Sequence, residues 1–179
     1  AALSVWNGLM APAATDLPAP SPTPAAAAGP SRGGVLRCAS LVAGVDHPAR
    51  MSSIRIANTL SHTCEYLVIT GADNVTRPHL LEKWEASDDL DPWTLHLRQG
   101  IKWSNGDDFT SEDVVFTMKE WLDPEIGSSM RGLMSYLTPE GIEKVDEHTV
   151  KLHLDSAQVA VPEHLFNYPA LILNHRTFE

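Results

Sequence analysis

Residues 84–122 set out a strand, a tight turn and a capped helix in a fixed order, and no other stretch narrows the possible folds as much. Trp93, Leu95 and Leu97 alternate with Thr94, His96 and Arg98, the period-2 pattern of a strand with one buried face. Gly100 breaks the run, and Ile101 and Trp103 resume it. Asn105-Gly106 then offers the two positive-φ positions of a tight turn. Thr110 followed by Asp113 resembles a capping box, with a carboxylate in the first turn where the helix dipole favours it. Val114, Val115, Met118, Trp121 and Leu122 follow helical spacing while Glu112, Lys119 and Glu120 stay polar, so the helix has one apolar side. Asp123-Pro124 ends it, because the residue before proline disfavours the α region. None of this requires chemistry.

The flanking elements read more briefly. Val35 to Val42 is an apolar-rich run suited to a buried strand. Gly44 to Pro48 is a loop. Ala49 to His62 reads as a helix with Ile54, Ala57 and Leu60 along one side, and Tyr66 to Ile69 as a short strand ended by Gly71. Strand, helix and strand over this distance suit a right-handed βαβ unit. Residues 126–137 form a short helix or loop carrying Met130, Leu133, Met134 and Tyr136. Ile142–Val145 and Val150–Leu154 form a hairpin, Pro162 to Phe166 a short helix, and Ala170 to Leu173 a last strand. The fold class is mixed α/β (α+β).

Composition fits a globular segment: 43% apolar and 20% charged residues are ordinary values. A net charge of −10 makes nucleic acid or an anionic membrane surface a poor partner. No stretch approaches the roughly 20 apolar residues that span a bilayer. Pro18 to Pro30 is almost wholly Ala, Pro, Ser and Thr, a linker composition. Before it, Leu3 to Met10 and Ala11-Pro12-Ala13 read either as a signal-peptide remnant or as a tail outside the folded core.

Trp84, Leu97-Arg98, Lys102-Trp103, Asn105-Gly106 and Phe109-Thr110 with Asp113-Val114-Val115-Phe116 together resemble the signature of the bacterial extracellular solute-binding proteins of family 5. These are the oligopeptide-, dipeptide- and nickel-binding components of ABC importers. Gly33 to Arg37 resembles the family's opening strand, and Gly141 to Asp146 with Thr149 to Leu152 its later hairpin. The resemblance covers about residues 33–179 and is carried by the order of several motifs rather than by any single one. It implies a partial periplasmic-binding-protein type II fold. Residues 1–33 would be signal remnant and linker, 34–70 the start of lobe I, 71–160 an inserted small domain with hairpins, and 161–179 the return to lobe I. The family is much longer than 179 residues, so an N-terminal fragment is expected.

The function that the resemblance implies is capture of a peptide or other small solute outside the cytoplasm, in the periplasm, by a monomer that hands it to the membrane subunits of an ABC importer. Ligands in open α/β sheets bind beyond the carboxyl ends of strands, which points to Gly44, Val45 and Asp46 after the opening strand. Tyr66 joins them as a first-lobe contact, with Met130 and Tyr136 as candidates from the inserted domain. Asp46 can pair a ligand ammonium group or cap its own loop; Met130 and Met134 can equally be helix core. Two other readings remain: a scaffold or interaction domain without a solute cleft, and a binder of nickel or a metal complex. His62, Cys64 and His79 lack zinc-ligand spacing, and no metal or other cofactor is expected. Cys38 and Cys64 either pair in an oxidising compartment or stay as separate thiols. Asp88, Asp89 and Asp91 fall in a turn, where Asp is ordinary. No nucleophile elbow, P-loop or dinucleotide fingerprint occurs, so catalysis is not expected.

Overall fold

The computed structural model describes residues 33–35, 37, 39, 44, 47–51 and 53–178. The chain divides into two compact units, Ala1–Cys38 and Ala39–Glu179. In chain order the elements are α1 (Ile54–Leu60), β1 (Val68–Thr70), β2 (Thr76–Pro78), β3 (Leu81–Ala86), β4 (Trp93–Leu97) and α2 (Ser111–Leu122). They continue with α3 (Met130–Leu133), β5 (Leu137–Asp146), β6 (Thr149–Leu154), α4 (Val161–His164) and α5 (His175–Phe178).

β3, β4, β6 and β5 form one antiparallel sheet in that order. The expected alternation holds: Trp93, Leu95 and Leu97 are buried, opposite Leu152 and Val150 of β6. α2 lies against β5 and sends Val114, Met118 and Trp121 into the same core. Trp93 and Trp121 are buried and Trp84 and Trp103 pack partly into that core; Trp6 lies outside the described residues. On the other face of the sheet, Lys83 pairs with Glu85 and His153 with Glu143, exposed pairs that contribute little to stability.

Several sequence expectations fail. Val35, Arg37 and Ala39 are exposed and in no strand; the rest of that run is Leu36, Cys38 and residues 40–42, which lie outside the described residues. Among the described residues β1 has an antiparallel partner, β2, with Ile69 opposite Arg77, and no parallel strand pairs with it. The reason lies in the turn between them. Asn74 takes φ +56°, Asp73 Oδ1 accepts the Val75 N–H at 3.2 Å, and Gly71 N–H donates to the Val75 carbonyl at 3.1 Å. Gly71 therefore begins a reversal where a simple stop was expected.

Helix α1 begins only after Ser53, whose hydroxyl accepts the Arg55 N–H. This start turns Ile56 and Ala57 inward and leaves Ile54 56% exposed, so the face expected from Ile54, Ala57 and Leu60 is rotated. The last expected strand, Ala170 to Leu173, is buried throughout but makes a single bridge, Leu171 to Tyr66. At the 105–106 turn only Gly106 has positive φ, at +96°. Asn105 works through its side chain, its Oδ1 accepting from Asp107 N–H at 3.1 Å.

β5 departs from regular pairing between Leu137 and Ile142. Gly141 lies in this irregular stretch, where an added Cβ would sit 2.3 Å from the His153 carbonyl oxygen. A backbone atom cannot swing aside as a flexible side chain can, so Gly141→Ala forces the strands apart. Urea unfolding is expected to report a loss of about 1–3 kcal/mol for this substitution. An unchanged midpoint would show that the two strands have room to spare.

Candidate functional site

The candidate residues fall into two groups. Gly44 is exposed, with space around it for a side chain; Val45 and Asp46 lie outside the described residues. Residues 47–51 are anchored. His47 Nε2 is 3.2 Å from Glu120 Oε2 on α2, and Arg50 Nε donates to the Ile126 carbonyl at 2.6 Å. Ala49 and Met51 are buried, Met51 against Ile56, Ala57 and Leu171. Residues 47–51 thus form a strap across the end of α2.

Tyr66 is half-buried beside the strap's apolar cluster. Its hydroxyl donates to the Tyr168 carbonyl at 3.2 Å, and its ring meets Phe166 edge-on at 5.1 Å. Burial pushes its phenol above the ordinary value. The backbone beside it joins two distant parts of the chain, since Ile172 N–H donates to the Glu65 carbonyl at 2.9 Å.

Met130 and Tyr136 belong to the core. Met130 has no exposed surface and Tyr136 keeps 6%. Met134, also fully buried, lies in the same cluster. Sequence reasoning gave no hint of Arg50, Ser129 or Tyr168 at this place, because each reaches its partner across a long sequence gap.

Some of the other candidates for chemistry have ordinary structural partners. His79 Nε2 is 2.8 Å from Glu65 Oε2. Cys64 carries a free thiol that burial pushes up; Cys38 lies outside the described residues. Asp91 Oδ1 accepts the Leu154 N–H at 2.8 Å, which gives this member of the acidic turn a structural task. Among the described residues no three His, Cys, Asp or Glu side chains gather to hold a metal, and no helix is long and apolar enough to cross a membrane. An open concavity of about 520 Å³ lies between the end of α2 and the start of β5, lined in part by Pro124, Arg131 and Thr138.

The Tyr136 hydroxyl lies 2.9 Å from Nδ1 of His164, and the two rings stack at 5.7 Å. Burial raises the Tyr136 phenol, so its hydroxyl stays protonated in this hydrogen bond with the imidazole. Burial lowers His164 from its ordinary 6.5, with Glu163 opposing. The unfolded chain therefore binds the proton more readily, and folding stability from this pair is complete above about pH 6.5 and declines as pH falls through the lowered value. Urea midpoints measured from pH 8 to pH 5 are expected to fall less steeply for His164→Gln than for the parent. Identical slopes would contradict the role of this pair.

Residues 75–178, more than half of the chain, match the family described as bacterial extracellular solute-binding proteins, family 5. The periplasmic oligopeptide-binding protein OppA of Haemophilus influenzae is 30% identical over 121 residues, covering 59% of this chain and 22% of the relative. Di/tripeptide-binding protein 1 of Pseudomonas aeruginosa is 35% identical over 103 residues, 49% of this chain and 19% of the relative. Among solved structures, the binding protein AgaA of A. tumefaciens R10, in complex with agropinic acid, superposes with a TM-score of 0.66 at 31% identity. That match covers 73% of this chain and 26% of AgaA. The chain thus spans about a fifth to a quarter of the length of these proteins. Its architecture is that of a type II periplasmic binding protein in part, and the chain belongs to the bacterial extracellular solute-binding proteins of family 5.

Proposed function

We propose that this chain is the N-terminal part of an exported, non-catalytic protein that captures peptides or similar small solutes and delivers them to the membrane subunits of an ABC importer. The family match over residues 75–178 carries this reading, and the peptide-binding names of relatives at 30% and 35% identity give the solute class. AgaA, described with agropinic acid at 31% identity, favours a second reading in which the solute is a small non-peptide acid.

Residues 34–70 and 161–179 serve as parts of one lobe, and the hairpin-rich segment between them as an insertion. The backbone contacts of Glu65 and Tyr66 with Ile172 and Leu171 support that division. The pairing of β1 with β2 moves the lobe's edge out to about residue 78 in this reading, beyond the expected 70. Gly44, Val45, Asp46 and Tyr66 form the solute-facing edge in this reading, while Met130 and Tyr136 act as core beneath the insertion. Closure of a second lobe then excludes water and strengthens the hydrogen bonds that hold a ligand's backbone and charged ends.

An Asp46 carboxylate facing a ligand ammonium forms a charge-assisted contact. Its removal in the full-length protein is expected to raise the Kd for tri-alanine about tenfold or more by calorimetry. Residues 34–179 alone should bind tri-alanine weakly or not at all. An Asp46→Ala variant that binds as the parent does, or micromolar binding by the fragment, would overturn the assignment.

A further inference from the structure

The concavity of about 520 Å³ between the end of α2 and the start of β5 has the size of a small-molecule site. The chain carries a net charge of −10, yet none of the described residues lining this hollow is acidic. Arg131 lines it, is exposed, and makes no side-chain hydrogen bond or ion pair among the described residues. Hydroxyls stand in the same lining. Ser128 Oγ accepts the Met130 N–H at 3.3 Å, which leaves its own proton to donate. Ser135 and Thr138 use their hydroxyls in no hydrogen bond among the described residues.

The walls are anchored chain. Asp123 Oδ1 accepts the Glu125 N–H at 2.7 Å, and Arg50 Nε donates to the Ile126 carbonyl at 2.6 Å. Met130, next to Arg131, is fully buried, as is Met134, and the Met134 N–H donates to the Met130 carbonyl at 2.8 Å. Leu122 and Leu137 line the hollow and belong to the main core. Gly132 leaves open space, since a Cβ built there would meet nothing within 4 Å.

A guanidinium presents a planar fork of donors that matches a carboxylate bidentately, and hydroxyls can donate to the oxygen lone pairs that remain. Apolar lining favours an anion that carries hydrocarbon over an inorganic one. Asp123 and Glu140 line the adjoining concavity and would repel a second negative charge. We propose that this hollow binds a small aliphatic monocarboxylate, Arg131 pairing the carboxylate while Leu122 and Leu137 cover the hydrocarbon. This inference does not depend on the solute-facing edge proposed above.

The test uses the full-length protein with isovalerate as probe and isovaleramide, its neutral isostere, as control, each titrated by ligand-observed NMR. The parent is expected to bind the acid about tenfold more tightly than the amide. Arg131→Gln should bring the two Kd values within about twofold of each other, and Arg131→Lys should keep part of the preference. Gly132→Leu, whose side chain enters open space, should weaken both ligands about threefold or more, with Tm held within about 2 °C. No measurable binding of isovalerate by the parent would overturn the proposal. So would equal affinity for acid and amide, or a preference for the acid that survives Arg131→Gln. Unchanged Kd values in Gly132→Leu would place the ligand elsewhere and overturn the assignment to this hollow.

Discussion

A single buried carboxylate holds together the parts on which everything else is built. Asp113 is 1% exposed and accepts from four N–H groups. Its Oδ2 takes the Thr110 backbone N–H at 2.9 Å and the Trp103 indole at 3.1 Å, and its Oδ1 takes the backbone and ring N–H of His175 at 3.0 and 2.8 Å. A buried charge without such partners costs several kcal/mol; here each oxygen is satisfied, and the positive end of the α2 dipole lies alongside. One residue therefore fixes the start of α2, the turn before it and the start of α5.

The consequences run along α2 as along a rod. With its first turn set, the helix delivers Val114, Met118 and Trp121 to the sheet and carries Glu120 to His47 at its far end. Beyond Leu122, the turn through Asp123 presents the Glu125 and Ile126 carbonyls to Arg50, and Ser129 reaches Met51. Thr117 adds a cross-brace halfway, its Oγ1 accepting the Leu173 N–H at 3.0 Å. The strap beside the proposed solute edge thus stands on a helix whose other end is pinned by Asp113. The segment that supplies the core thus also supplies the strap's anchors.

What the sequence disclosed and what it concealed divide by range. Thr110 and Asp113 lie within one helical turn, so their reciprocal cap could be read directly and is present in full. The alternation of Trp93, Leu95 and Leu97 was equally local, and so was the hairpin of β5 and β6. The partnership of Asp113 with His175 spans 62 residues and leaves no periodic trace. Neither does the hydroxyl of Ser129, which looks like any surface serine until Met51 is brought to it. The pairing of β1 with β2 went unread because Gly71 to Asn74 can stop a strand or reverse it, and only the pairing partner decides. The rotated face of α1 has a similar origin, since the Ser53 cap, rather than apolar spacing alone, sets where the helix begins. For the site, the strand-end rule pointed to Gly44, Val45 and Asp46, with Tyr66, Met130 and Tyr136 added beside them; of these, Met130 and Tyr136 are buried.

Solute binding at the edge defined by residues 44–46 and Tyr66 is the claim on which the functional account stands. Hydrogen–deuterium exchange on the full-length protein, with and without saturating tri-alanine, tests it most directly. The account predicts that ligand slows exchange at residues 44–51 and around Tyr66 and leaves the 130–136 segment, which holds the buried Met130 and Tyr136, as it was. Slowing confined to 130–136, with residues 44–51 unaffected by a ligand that demonstrably binds, would contradict it.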